Sequence, residues 1–200
     1  PYTTYLDMTL FLNYDLGDGT TNIDLLEDVS GIYGYDGSAS NGWDVITLAN
    51  ASAKDMTPGQ GFFVAANDVF VAGYDITFDP SMRVVGNGDD FIAGRNSSDL
   101  TFLKLNTSTA TKDFTTQFYF NDNATSGLDH GYDAQVWGGT IPSFALYSNL
   151  VQDNIGMPIA LQALNTTDLA NTVIPLGVNA NAGEQLTFTI SETTLPSTVN

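Results

Sequence analysis

The sequence predicts an all-β fold, an antiparallel β-sandwich or jelly roll with long acidic loops, built as a single domain over residues 1–200. Ten or more short apolar or alternating segments recur along the chain, separated by glycine, asparagine and proline, a spacing typical of β-sandwiches. Twenty aspartates stand against three glutamates, and aspartate favours turns whereas glutamate favours helices. No βαβ rhythm or internal repeat is visible, so parallel α/β folds are not predicted.

The N-terminal half is predicted to contain one short helix and several strands. Asp7 is placed to cap a helical turn that ends at Leu12. The Asp-Gly pair at residues 36–37 indicates a turn between two strands. Alternation of apolar and polar residues is clearest at residues 74–79, which predicts a half-buried strand that ends before Pro80. The predicted strands of this half are residues 32–35, 43–48, 62–65, 74–79 and 82–85.

The C-terminal half is predicted to consist of strands joined by loops. Leu186, Phe188 and Ile190 alternate with polar residues, so these three side chains are expected to face the core. Two long polar loops are predicted, one in the N-terminal half at residues 14–28, before the strand at residues 32–35, and one in this half at residues 121–133. The predicted strands of this half are residues 100–105, 114–120, 134–137, 143–147, 158–162, 172–176 and 185–190.

Charge and composition exclude several classes of partner. The chain has 23 acidic and five basic residues and a formal net charge of −18, so it offers no basic stripe for nucleic acid or for anionic membrane surfaces. Cysteine is absent, which excludes thiol catalysis, zinc-thiolate sites and disulfides. No apolar run reaches the length of a membrane span, and no signal peptide is visible. Few lysines and many threonines, asparagines and glycines indicate a secreted or cell-surface protein.

The loop at residues 121–133 is a candidate calcium site. Carboxylate and amide oxygens gather there around two glycines, and calcium prefers oxygen ligands held by turns. The alternative is that these side chains close turns through hydrogen bonds to their own backbone. The first-choice ligands are Asp122, Asn123, Asp129 and Asp133, and the second choice is Asp15, Asp18 and Asp24 in the loop at residues 14–28.

Four aromatic residues form a candidate sugar-binding platform. Tryptophan and tyrosine rings stack on the apolar faces of sugars. The alternative is that strand aromatics pack in the core or across the sheet. The proposed ligand-binding residues are Trp137, Trp43, Tyr35 and Tyr132, with Trp137 the leading one because it follows the acidic loop.

Catalysis is not expected. The chain has no Gly-x-Ser-x-Gly elbow, and His130 is its only histidine, placed in a turn beside Asp129. Pairs of carboxylates are numerous enough for a glycoside hydrolase, but a general acid needs a partly buried carboxyl group with a raised pKa. Most aspartates here lie in turn contexts, so we predict a protein that is not an enzyme and assign no catalytic residue.

Several stretches together resemble a domain of secreted Bacteroidota proteins that precedes the C-terminal sorting signal of the type IX secretion system. The resemblance spans nearly the whole chain, and the order of the stretches is more specific than any one of them. It implies a secreted or cell-surface β-sandwich without an established activity, and it supplies no catalytic residues. The matching stretches include Pro1-Tyr2, Pro58-Gly-Gln-Gly-Phe-Phe-Val64, Ser81-Met-Arg83, residues 90–92, Phe118-Tyr-Phe-Asn-Asp-Asn123, Gly127-Leu-Asp-His-Gly-Tyr-Asp-Ala134, residues 174–179 and Leu195-Pro196.

The resemblance also implies a further strand. Members of that family usually continue beyond the Leu-Pro pair into another strand, whereas this sequence stops at Asn200. The hypothesis that follows is a sheet edge left open or filled by another chain, because unpaired edges accept added strands.

Two functions of different classes follow from these observations. The first is a non-catalytic extracellular binding module for a glycan, assisted by calcium and using no other cofactor. The second is a structural or adhesive building block of the cell surface or of an extracellular filament, with strand exchange between chains. The expected partner is therefore an extracellular polysaccharide or another copy of the chain, with neither nucleic acid binding nor membrane insertion.

Overall fold

The computed structural model describes residues 3–35, 43–69, 74–85, 92–94, 99–197 and 199, with the backbone alone for 92–94. This part of the chain is mostly β. It contains fourteen strands in three sheets, together with one five-residue helix and several single 3-10 turns. No helix within it has the length and apolar character needed to cross a membrane.

The first sheet has four antiparallel strands in the order β6-β1-β4-β7. Helix α1 follows β1 directly and spans Met8–Leu12. Asp7 caps it by accepting a hydrogen bond from Leu10 N at 3.0 Å, which confirms the predicted helix and its cap. The strands are β1 (Tyr5–Asp7), β4 (Lys54–Met56), β6 (Arg83–Val84) and β7 (Ile92–Gly94).

The small sheet has three antiparallel strands in the order β3-β2-β5. They are β2 (Ile32–Tyr35), β3 (Trp43–Ile46) and β5 (Phe62–Phe63). The prediction of strands at these three places is confirmed, although β3 and β5 are shorter than predicted. The predicted turn at residues 36–37 lies outside the described residues.

The large sheet has seven strands, six of them in the order β13-β11-β12-β9-β8-β14, with β10 paired to β12. It curls into a half-barrel. Its seven strands are β8 (Thr101–Ser108), β9 (Asp113–Phe120), β10 (Ala134–Gln135), β11 (Ala145–Ser148), β12 (Ile159–Leu164), β13 (Leu176–Asn179) and β14 (Thr187–Thr193).

The prediction of a purely antiparallel arrangement is wrong for the large sheet. Strands β9 and β12 run parallel, with Gln117 opposite Leu161 and Phe120 opposite Leu164. Parallel neighbours require a long crossover. Here the crossover consists of the acidic loop with β10 and β11 rather than a helix, so no βαβ pattern is present in the sequence. The all-β class is confirmed in its coarse form, and the strand order is not that of a jelly roll.

The prediction of a strand at residues 74–79 is also wrong, because the backbone there is irregular. A buried side chain takes the place of a neighbouring strand. Asn22 Oδ1 accepts a hydrogen bond from Thr77 N at 2.9 Å, and Asn22 Nδ2 donates to Thr77 O at 2.8 Å. The same amide nitrogen donates to Phe11 O at 2.8 Å. Of the three apolar residues that alternate here, Ile76 packs on the core, whereas Tyr74 and Phe78 are 39% and 46% exposed.

Substitution of Asn22 tests this arrangement. In Asn22→Ala three backbone groups each lose a hydrogen bond, and of these Phe11 O keeps one from Tyr14 N, so the free energy of unfolding is expected to fall by about 1–3 kcal/mol. Chemical denaturation measures the change. Asn181→Ala, which removes an exposed amide that bonds Glu184, is the matched control and should change stability by less than about 0.5 kcal/mol. Equal effects of the two substitutions would contradict the role given to Asn22.

The last two predicted strands are shifted in the structure. Strand β13 begins only at Leu176, and residues 172–175 are irregular. Leu186 is partly buried against the core, but Phe188 and Ile190 on β14 are 49% and 61% exposed. The prediction that these two residues face the core is therefore wrong, because β14 lies at the edge of the large sheet.

The small sheet packs on one face of the large sheet. Tyr33 and Val45 of the small sheet share a buried cluster with Phe102, Tyr119 and Leu161 of the large sheet. Tyr33 is anchored there, because its hydroxyl donates to Gln135 O at 2.9 Å. Burial raises the pKa of Tyr33 to about 12, so the phenol stays protonated and keeps this bond. A second cluster, formed around α1, holds the first sheet against the small sheet.

Candidate functional site

Five aromatic rings form a continuous group, here called the aromatic cluster, where the small sheet meets the turn after β10. Ring centroids lie 5.4 Å apart for Tyr35 and Trp43, 5.5 Å for Trp43 and Phe63, and 5.4 Å for Phe63 and Trp137. Trp43 and Trp137 are 5.6 Å apart, and Tyr33 lies 4.8 Å from Trp137. Tyr35 is 56% exposed and Phe63 is 53% exposed, so the group presents an aromatic surface to solvent.

The register of the small sheet places four of these rings on one face. Tyr35 lies opposite Trp43, and Tyr33 lies opposite Phe63. Because side chains alternate along a strand, Tyr33 and Tyr35 share that face. Cross-strand aromatic pairs of this kind stabilise antiparallel sheets. The same cross-strand aromatic pairs therefore form the surface and stabilise the sheet that carries it.

Trp137 reaches the cluster from the large sheet. It begins a 3-10 turn directly after β10. The turn requires glycine, because Gly138 has φ +72° and Gly139 has φ +64°, values that other residues rarely adopt. A cavity of about 190 Å³ lies beneath the two tryptophans and extends to Phe114 and Ala160 of the large sheet.

The structure brings three of the four predicted ligand-binding residues together. Tyr35, Trp43 and Trp137 are in mutual contact through the cluster, whereas Tyr132 packs partly buried on the hydrophobic cluster beneath them. The predicted platform did not include Phe63, although the strand at residues 62–65 was predicted. Alternation along the strand predicts that Phe62 and Phe63 face opposite sides. In the structure the ring of Phe62 lies 6.3 Å from that of Phe11 in the core, and Phe63 faces solvent.

Asp133, one of the predicted calcium ligands, is fully buried. Its Oδ2 accepts from Asp129 N at 2.8 Å and its Oδ1 accepts from Ala163 N at 2.8 Å. The carboxyl group thus joins the acidic loop to β12 immediately before β10 begins. Burial raises the pKa of Asp133 to about 7, with a smaller upward effect from the charge of Asp129.

The other predicted ligands of this loop also hold hydrogen bonds within the protein. Asp129 accepts from Thr125 N at 2.5 Å and from Thr125 Oγ1 at 2.9 Å. Asp122 accepts from Thr166 Oγ1, and Asn123 N donates to Asn121 Oδ1 at 2.9 Å. Across the residues that the structure describes, no three acidic or histidine side chains gather closely enough to hold a metal ion. Calcium binding stays a prediction.

In the second acidic loop the aspartates close turns. Asp15 Oδ1 accepts from Gly17 N at 2.7 Å and from Gly19 N at 3.1 Å. Asp18 accepts from Tyr74 OH at 2.6 Å, a bond that lowers the pKa of Asp18. These contacts correspond to the turn-closing alternative that the sequence left open.

His130 links the two acidic loops. Its Nδ1 lies 3.3 Å from Asp28 Oδ1, and its Nε2 lies 3.7 Å from Asp24 Oδ1. Both partners are carboxylates of the loop at residues 14–28, and Asp24 also accepts from Thr21 N at 2.7 Å. The chain's single imidazole therefore lies between the two loops, but its buried Nδ1 has no hydrogen-bond partner, and it forms an ion pair with these carboxylates only when protonated.

The profile of one domain family matches residues 20–194, a span that contains both the aromatic cluster and the acidic loop of residues 121–133. The chain belongs to this family, DUF8693. The family is described as a domain of unknown function. Neither the curated proteins nor the solved structures contain a match to the chain.

Proposed function

We propose that this DUF8693 chain is a non-catalytic extracellular binding module for a glycan and that the aromatic cluster is its binding surface. The observation that carries the proposal is the contact of five rings, of which Tyr33 is buried and supports the others while Tyr35 and Phe63 are more than half exposed. Exposed aromatic rings held in place by their neighbours stack on the apolar faces of sugars at little entropic cost. A layered β scaffold of the sandwich kind supports this surface from below.

Two further observations support a glycan rather than a charged polymer. The net charge of −18 disfavours nucleic acids and other polyanions. The exposed part of the cluster is open, since Tyr35 and Phe63 project to solvent, and an open row of aromatic rings suits stacking on a chain of sugar rings. Secretion to the cell surface, which the resemblance to type IX secretion substrates implies, belongs to the same proposal.

The test is retention of the purified chain on a panel of soluble and insoluble polysaccharides, run with calcium and again with a chelator. The double variant Tyr35→Ala with Phe63→Ala removes the two exposed rings and should lower affinity roughly tenfold or more, because each aromatic contact contributes about 0.5–1.5 kcal/mol. Phe188→Ala is the matched control, since Phe188 is 49% exposed on a different sheet. A folded wild-type chain that no polysaccharide retains would overturn the proposal.

Calcium assistance is a separate part of the proposal. A cation bound only by the native chain at a hundred times its dissociation constant adds about 2.7 kcal/mol to stability. We therefore expect excess calcium to raise the melting temperature relative to excess chelator. Asp129→Asn should reduce this shift, whereas Asp113→Asn, at an exposed aspartate of β9, should leave it unchanged. Identical melting in calcium and chelator would show that calcium is not bound.

A second candidate function is a structural or adhesive building block of the cell surface. The observation that favours it is the edge strand β14, which is exposed along its whole length and carries the exposed side chains of Phe188 and Ile190. Edge strands of this kind accept added strands from other chains.

A further inference from the structure

Strand β14 offers an open backbone edge. Among the residues that the structure describes, it pairs with β8 on one side only and ends the order of the large sheet. All seven of its residues are exposed. The N–H and C=O groups along its outer side are therefore free to pair with a further strand.

The side chains of β14 continue a buried apolar surface out to this edge. Phe188 lies opposite Thr107 of β8, and Ile190 lies opposite Leu105. Thr107 is fully buried and Leu105 is partly buried within the core. Phe188 and Ile190 are 49% and 61% exposed. On this face of the sheet, the side chains are therefore buried as far as β8 but exposed on the edge strand β14.

The charges beside β14 are nearly balanced, unlike those of the whole chain. Lys104 Nζ lies 2.6 Å from a carboxylate oxygen of Glu192, and Lys112 Nζ lies 3.3 Å from one of Glu184. Two of the five basic residues of a chain with net charge −18 thus lie at this edge. Because these carboxylates are paired, a second copy of the chain approaches this edge with less repulsion than unpaired acidic side chains would cause.

We propose that β14 of one copy pairs antiparallel with β14 of a second copy about a two-fold axis at Thr189. Pairing of identical strands in this way is self-complementary. The register shift after Ile190 confines regular pairing about this axis to residues 188–190. An axis at Thr189 places Phe188 opposite Ile190 of the second copy on the same face, so each of these apolar side chains gains a partner.

This inference rests on the second candidate function, the surface building block, and is independent of glycan binding. The contact is short, far smaller than the roughly 800 Å² per partner of a standard stable interface. The expected association is therefore weak and reversible in dilute solution. It becomes significant where many copies are held at one surface, because tethering raises the effective concentration.

Cysteine cross-linking tests the geometry directly, because the natural chain contains no cysteine. Thr189→Cys places two thiols across the proposed axis, and Thr111→Cys, at an exposed position in the turn between β8 and β9, is the control. Under mild oxidation at equal concentration, Thr189→Cys should give at least tenfold more disulfide-linked dimer than the control. Equal yields from the two variants would overturn the proposal.

Charge substitution provides a second, independent test by sedimentation at high protein concentration. Phe188→Lys and Ile190→Lys should abolish the concentration-dependent dimer, since lysine on an edge strand blocks pairing. Val173→Lys, at a residue 84% exposed outside the strand, makes the same charge change and should preserve the dimer. A wild-type chain that stays monomeric throughout, or a dimer that survives both edge substitutions, would contradict pairing through β14.

The two proposals fail separately. The Tyr35→Ala and Phe63→Ala double variant should lose polysaccharide retention while the Thr189→Cys cross-link persists in that background. Loss of glycan binding therefore says nothing against the β14 contact, and loss of the cross-link says nothing against the aromatic surface.

Discussion

Asp133→Ala is expected to lower the free energy of unfolding by roughly 2–4 kcal/mol at pH 5, because a buried and a part-buried backbone N–H group each lose a hydrogen bond to the carboxyl group, at a cost of about 1–3 kcal/mol per group. Asp129 N and Ala163 N both donate to the Asp133 carboxyl group at 2.8 Å. Strand β10 pairs with β12 only as far as Ala134 opposite Leu161, so the Asp133 side chain satisfies the N–H of Ala163 beyond the end of that pairing.

Denaturant titration of the purified chain measures this loss. Asp113→Ala is the matched control, since Asp113 is exposed at the start of β9, and its substitution should stay within about 0.5 kcal/mol of the wild-type value. A stability of Asp133→Ala equal to that of the control would show that the carboxyl group does not join the loop to β12.

The stabilising advantage of Asp133 over alanine is expected to shrink as the pH rises from about 4 to about 7. Burial raises the pKa of this carboxyl group from 3.8 in the unfolded chain to about 7 in the native one. Between these values the native chain holds a proton that the unfolded chain has released. The contribution is therefore complete below pH 4 and is lost as the pH rises through 7, with a slope of at most about 1.4 kcal/mol per pH unit.

The difference between wild type and Asp133→Ala isolates this dependence, because every other titrating group is common to both chains. Unfolding curves at pH 5, 6, 7 and 8 should show a difference that narrows and then levels off. A difference that is constant over this range would show that Asp133 is ionised throughout. A difference that widens with pH would show that the native fold lowers the pKa of Asp133 instead of raising it.

Asp133 also connects stability to the aromatic cluster. It lies directly before β10, and β10 leads into the turn that carries Trp137. Tyr33, which lies 4.8 Å from Trp137, is held by the carbonyl of Gln135 in the same strand. The acidic loop thus positions one side of the aromatic surface through its hydrogen bonds, whether or not it binds a cation.

Local patterns in the sequence were sufficient to predict most secondary-structure elements and part of the aromatic cluster. Alternation in β2 places Tyr33 and Tyr35 on one face, and the hairpin that follows brings Trp43 beside Tyr35. Asp7 as a helix cap is likewise a local signal, confirmed by its bond from Leu10 N. Such features depend on neighbours a few residues away, which is why the sequence reveals them.

Features that depend on distant neighbours were not predictable in this way. The parallel pairing of β9 with β12 joins residues more than forty positions apart through an irregular crossover. The amide of Asn22 replaces a strand partner for Thr77, 55 positions away. Residues 74–79 alternate as a strand does although their backbone is irregular, and alternation alone does not distinguish these two cases.

Tryptophan fluorescence tests the aromatic surface most directly, because Trp43 and Trp137 are the only two tryptophans of the chain and both lie in the cluster. Titration with a polysaccharide that the chain retains should change the emission saturably, with the dissociation constant found by retention. The Tyr35→Ala and Phe63→Ala variant should show a much weaker response at the same concentrations. Saturable binding that leaves the emission of both tryptophans unchanged would contradict the assignment of the aromatic cluster as the glycan site.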